Sequence, residues 1–338
     1  MKVQSKTIFI LCILLALLSL SLSSCASTSK PIPSTDEEAR VVATCDGHDV
    51  PFEQIRYLAI SHREDMEAEY GKDIWDTEES RNKYYPELLS RVESDIRTYC
   101  TVLSVSKNYN VDINDSEIKD AVQKEIDYVV FEVYGGIDEY KKALVADAMT
   151  DSFFRFMYGI YYCQNELFII MTQHTDILSV PNDEGELYDL INEEFYCTTH
   201  VYVPFNYGGR TKEENREKIE DIYARMTSGE ITFERAQFEG GTDASLSEDG
   251  YYFSRGYATL DYENASIALS VGEMSEIIET DTAFYIVKRL ALDPQYIMSN
   301  MYSLRTQYVQ TLFNNILNDY KKSVSVTYLE DIDLLKIN

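Results

Sequence analysis

Apolar residues at helical spacing run through most of the first half of this chain. Leu88, Val92, Ile96, Tyr99 and Leu103 fall on one face of a helix predicted over 79–107. Asn114-Asp115-Ser116-Glu117 reads as a capping box, and Ile118, Val122, Ile126 and Val129 then repeat the same period. Gly135-Gly136 breaks that helix, a short one follows over 137–146, and Thr150 caps the next. Segment 151–171 is apolar nearly all round, from Phe153-Phe154 to Ile169-Ile170-Met171. Asp151, Arg155, Gln164, Asn165 and Glu166 interrupt it too often for a membrane span. It is therefore expected to be the central buried helix of a helical domain.

The pattern changes after the Pro181–Gly185 break. Tyr196–Val203 is rich in β-branched and aromatic residues, as strands are. A helix over 212–228 ends before Gly229, and strand-like pieces follow at Tyr251–Ser254, Met274–Glu279 and Phe284–Leu290. Near the N-terminus, Val41–Cys45 reads as a strand, Asp46-Gly47 as a turn, and Pro51 as the first position of a helix. At the other end Ile297, Met301, Leu304, Tyr308, Leu312, Ile316 and Tyr320 form one long stripe. Such a face needs cover: the helix packs back on the helical domain or pairs with a second copy as a homodimer. Residues 324–336 read as a terminal strand. The expected class is α+β.

Ahead of these elements lies a targeting segment. Lys2 and Lys6 precede the apolar run Ile8–Leu20, which is too short for a comfortable span. Residues 26–40, polar and with two prolines, are expected to be a flexible tether. The expected organisation is 1–24 signal, 25–40 tether, 41–194 helical domain, 195–291 mixed domain, and 292–338 a C-terminal helix and strand.

A net charge of −28 argues against nucleic acid as a partner, because phosphate binding needs clustered Lys and Arg. The acidic residues are spread, which fits a solvated surface. Cys45, Cys100, Cys163 and Cys197 form no CxxC pair, and His48, His62, His174 and His200 show no ligand spacing. HExxH, GxSxG, Walker A and GxGxxG motifs are absent, so neither a metal nor a cofactor is expected.

Two resemblances add to this reading. Leu22-Ser23-Ser24-Cys25 resembles the lipobox of bacterial lipoproteins, which implies a lipid on Cys25 and a membrane-held protein outside the cytoplasm. His200-Val201-Tyr202-Val203, Arg255-Gly256, Tyr262-Glu263-Asn264-Ala265 and the run Ala268–Ser275 resemble a parvulin-type peptidyl-prolyl isomerase (rotamase) domain. The strand–turn–helix opening and the returning C-terminal segment resemble the PrsA/SurA foldases. These resemblances imply a mostly helical chaperone domain with the parvulin-like α/β domain inserted in it. The implied partners are unfolded or nascent exported polypeptides and their X-Pro segments.

The family pattern implies catalytic roles for His200, Asp243 and Thr280, with Tyr285 in the place of the second histidine. It puts Tyr252, Ala258 and Tyr262 at the prolyl pocket, Ala258 where the family carries Met. Three readings stay open at this level: a working isomerase, a non-catalytic chaperone with a degenerate parvulin domain, and a structural lipoprotein. Each residue also has a plain alternative, as a structural strand histidine or as buried aromatic filling.

Overall fold

The computed structural model describes residues 28–173 and 178–337. The chain forms two compact units, one running to Ile170 and resuming at Leu317, the other spanning Met171–Ile316. The second unit thus extends on both sides of 195–291. The signal segment and Cys25 lie outside the described residues.

Among the described residues, the first unit combines helices with a small sheet. The hairpin β1 (Val41–Cys45) and β2 (His48–Pro51) turns at Asp46-Gly47, both in the left-handed region at φ 49° and 78°. Glycine meets that requirement without a Cβ clash. Pro51 ends β2 and caps α1 (Phe52–Tyr70), one position earlier than its sequence suggests. α2 (Glu78–Asn108), α3 (Ser116–Tyr128), α4 (Ile137–Ala146) and α5 (Asp151–Gln173) follow. A π turn, Val129–Val133, extends α3 up to the Gly pair. The capping box does not form: Asp115 occupies the cap, but its carboxylate turns back to accept from the Asp112 amide at 2.9 Å.

The predicted α2 face is buried as expected. Leu88, Val92 and Ile96 join Val42, Cys45 and Ile55 in one core. The apolar α5 buries Phe153, Phe154 and Cys163 against Val122, Ile126 and Tyr140 in a second. Among the described residues no helix is long and apolar enough to cross a membrane. β7 (Val326–Tyr328) pairs antiparallel with β1, giving the order β2-β1-β7. The terminal strand is therefore much shorter than 324–336, and beyond it Leu334 and Ile337 are buried without regular structure.

The tether expectation is corrected. Ser29 through Ser34 dock on the first unit instead of hanging free. Ser29 donates to Asp127 through both its amide and its hydroxyl, at 2.6 Å each. The Ile32 amide donates to Asp151 at 3.0 Å, and the Ser34 hydroxyl to Glu53 at 2.7 Å. Small polar residues read as linker, but here the buried Asp151 and Glu53 carboxylates need donors.

In the second unit a four-stranded antiparallel sheet has the order β4-β3-β6-β5, with β3 Phe195–Pro204, β4 Tyr251–Ser254, β5 Ile278–Glu279 and β6 Ala283–Leu290. Only 278–279 of the stretch predicted from Met274 is strand; Met274 keeps one isolated bridge to Lys288. Alternation along β3 decides the faces. Val201 and Val203 pack under α7 (Lys212–Thr227) and α8 (Phe233–Glu239). On the same face, Phe195 and Cys197 meet α6 (Glu184–Glu194) and Ile297, Met301 and Leu304 of α10 (Pro294–Lys321). The beginning of the α10 stripe is thus covered within this chain. The opposite face carries α9 (Leu260–Ala268) through Tyr262, packed on Phe253 and Val287.

Ile96 is fully buried in the first core. Ile96→Ala should lower unfolding free energy by about 2–5 kcal/mol. Denaturant unfolding of the purified variant checks this, and a loss within error would mean the core tolerates the cavity.

Candidate active site of the second unit

His200 sits mid-strand on the α9 face of β3, where Thr198 and Tyr202 share its side. β4 pairs with β3 only over Phe195–Thr198, so among the described residues the edge of β3 beside His200 has no strand partner on that side. The end of α8 fills it. Gln237 Nε2 donates to the His200 carbonyl at 3.1 Å, and the Gly241 amide to that of Tyr202 at 2.6 Å. A Cβ on Gly240 would lie 2.8 Å from the Tyr202 carbonyl oxygen, so this close approach needs glycine. The approach delivers Asp243 to the imidazole.

Both ring nitrogens of His200 are engaged. Nε2 lies 3.1 Å from Asp243 Oδ2 and Nδ1 lies 2.9 Å from the Tyr262 hydroxyl. That hydroxyl is also 2.8 Å from Thr198 Oγ1. Asp243 Oδ1 accepts from the Ser245 amide and hydroxyl at 2.8 and 2.7 Å. The His200 hydrogen bond, followed by those of Ser245, holds the Asp243 carboxyl well below the usual range. An ionised carboxylate only accepts, so Nε2 must carry a proton. With neutral imidazole, Nδ1 then accepts from Tyr262, and Tyr262 accepts from Thr198. In that tautomer the donors run in one order, from Thr198 to Asp243. Burial pushes the Tyr262 hydroxyl far above its ordinary pKa, so it stays a neutral donor.

Aromatic rings enclose the imidazole. Tyr285 meets it edge-on at 5.2 Å between centroids and 87°, Tyr262 at 5.6 Å and 88°, and Tyr251 at 6.4 Å and 72°. His200 is 3% exposed. Among the described residues the Tyr285 hydroxyl has no hydrogen-bond partner, and desolvation followed by the Asp243 charge raises its pKa well above normal. It remains a protonated, uncommitted donor. Ala258 packs against the same cluster, beside Tyr251, Tyr262 and Tyr285.

The structure thus brings His200, Asp243, Tyr262, Tyr285 and Ala258 together. It does not bring Tyr252 or Thr280 into the hydrogen-bond chain. Tyr252 points to the other face of the sheet, stacks on Tyr296 at 4.2 Å and accepts from the Asp293 amide. Its neighbour Tyr251 faces His200 instead. The register of β4 on β3, with Tyr252 opposite Cys197 and Tyr251 opposite Thr198, sets this parity. The Thr280 hydroxyl closes the β5–β6 turn, donating to the Ala283 carbonyl and accepting from the Ala283 amide. Thr198 and Ser245 complete the site and were not anticipated. For Thr198 the signal was present, since it lies two residues before His200 on one strand.

Residues 200–291 match the Rotamase family, the PPIC-type PPIASE domain. The chain is 22% identical over 276 residues to a foldase protein PrsA of Caldanaerobacter subterraneus, covering 79% of this chain and 77% of that one. With a foldase protein PrsA of Staphylococcus aureus identity is 25% over 233 residues, or 66% of this chain and 62% of the relative. This chain is PrsA-like and carries a rotamase domain. A crystal structure of a peptidylprolyl isomerase (PrsA) from Bacillus anthracis aligns at 18% identity with a TM-score of 0.33, covering 66% of this chain and 93% of that one. Within the rotamase domain, the aromatic hydroxyl of Tyr262 holds the imidazole that the sequence pattern alone would pair with a second histidine.

The depressed Asp243 carboxyl links this network to pH. A group with a lowered folded pKa contributes stability that is full above its unfolded value, about pH 4, and is lost as pH falls toward the folded value. The melting temperature of the wild type should therefore fall more steeply below about pH 4 than that of Asp243→Asn. Parallel acid limbs in thermal melts would show that Asp243 is not held this way.

Proposed function

We propose that this chain is an extracytoplasmic protein-folding factor that binds unfolded exported polypeptides and isomerises their X-Pro bonds at the His200 site. The observation that carries the reading is the ordered hydrogen-bond chain through His200, Tyr262 and Asp243 inside a rotamase domain. Rotation about an amide has a barrier of about 18–20 kcal/mol, set by resonance. A catalyst lowers it with an apolar slot that withholds water from the amide and polar groups already aimed at the twisted form. No covalent bond need form.

In this reading Tyr262, Ala258 and Tyr251 wall the slot for the proline ring. Ala258 makes it shallower than a Met would. Tyr285 offers its hydroxyl to the twisting amide, and His200, fixed by Asp243 and Tyr262, sets the polar floor. Thr280 is a positioning residue that holds the turn from which Tyr285 projects. The lipid on Cys25 keeps the protein at the membrane surface, where exported chains emerge.

A second reading is favoured by the low exposure of His200 beneath its ring of tyrosines: the domain then holds X-Pro segments without turning them over. Prolyl exchange measured by NMR on the purified protein, with a panel of X-Pro peptides, separates the two. Uncatalysed exchange takes tens of seconds or longer, so weak catalysis is visible. Acceleration that falls in His200→Ala and in Tyr285→Phe is the expected result. No acceleration by the folded protein, with aggregation of an unfolded client still suppressed, would leave the non-catalytic reading.

A further inference from the structure

The docked N-terminal segment shortens the leash between the lipid-bearing residue and the folded protein. Only Ala26, Ser27 and Thr28 separate Cys25 from Ser29. Four peptide steps reach at most about 14 Å. A free tether through residue 40 could extend several times farther.

Ser29 is held by a continuous clamp. Its amide and hydroxyl donate to Asp127, while Gln123 Nε2 donates to the Ser29 carbonyl at 3.0 Å and to Asp127 at 2.8 Å. Arg155 ties Gln123 Oε1, at 2.8 Å, to Asp151 Oδ2, at 2.7 Å. Asp151 in turn accepts from the Ile32 amide and from the Tyr140 hydroxyl. The Asp151 carboxylate is 1% exposed, so releasing Ile32 would leave a buried charge short of a donor. The first point of attachment is therefore Asp127, on α3.

Lys124, Asp127, Tyr128 and Phe131 follow one helical stripe through α3 and the π turn. Lys124 is exposed, and Tyr128 and Phe131 are 37% and 36% exposed. Amphipathic aromatic rings favour the headgroup level of a bilayer, and lysine extends its amine toward phosphate. We propose that this Lys124–Tyr128–Phe131 stripe lies against the lipid surface, so that the first unit is seated on the membrane by a defined face. The inference rests on Cys25 being the lipid attachment point. Asp120 and Glu132 border the stripe, so the contact is one of rings at headgroup depth and not attraction to anionic lipid.

The test uses the full-length lipidated protein in phosphatidylcholine–phosphatidylglycerol vesicles. An environment-sensitive fluorophore is placed on Phe131→Cys or, beside the other core of the first unit, on Leu329→Cys. The described native cysteines are buried and leave the labels specific. Quenching by a headgroup nitroxide lipid should be several-fold stronger at 131 than at 329. A long Gly/Ser insertion between Ala26 and Ser27 should not alter it while the stripe itself binds, and should abolish it in the Tyr128→Ser background. Equal quenching at the two positions, with lipid on Cys25 verified by mass spectrometry, would overturn the proposal. Absence of lipid on Cys25 would instead overturn the anchoring reading beneath it.

Discussion

A buried imidazole with both nitrogens hydrogen-bonded is the constraint around which the second unit is arranged. Leaving either nitrogen unpaired at 3% exposure would cost about 1–3 kcal/mol. Satisfying Nε2 requires the α8–β4 loop to come in across the open edge of β3, and Gly240 and Gly241 permit that approach. Satisfying Nδ1 requires α9 to lie on this face of the sheet, with Tyr262 pointing inward. One residue thus links a loop, a helix and a strand alternation that are far apart in sequence.

The substitution pattern of the rotamase domain is coherent in these terms. Tyr285 stands where a second histidine is expected, yet its ring only packs on His200. The polar partner comes from Tyr262 instead. The Tyr285 hydroxyl is left uncommitted. On the proposed reading that hydroxyl is the group a peptide amide would meet.

Much of this was legible in the chain. Strand β3 shows in the β-branched and aromatic run from Tyr196 to Val203, and α2 in the spacing of Leu88, Val92 and Ile96, because burial imposes a period on each. His200, Asp243 and Tyr262 could be placed together by resemblance. That Tyr251 and not Tyr252 faces His200 was not legible, because strand parity reverses with a one-residue shift and the pairing of β4 on β3 is not visible in the chain. Thr280 looked like a partner of His200, but a hydroxyl at a turn bonds its own backbone first. The docking of Ser29–Ser34 had no local signal at all. Its partners, Asp127, Asp151 and Glu53, lie 19–119 residues away.

The most direct test of the account is the tautomer of His200, read from the imidazole nitrogen resonances of the labelled protein near neutral pH. The account predicts a proton on Nε2, facing Asp243, and a change of the Nδ1 resonance in Tyr262→Phe while the fold is retained. A ring protonated at Nδ1 instead, or resonances indifferent to the loss of the Tyr262 hydroxyl, would contradict it.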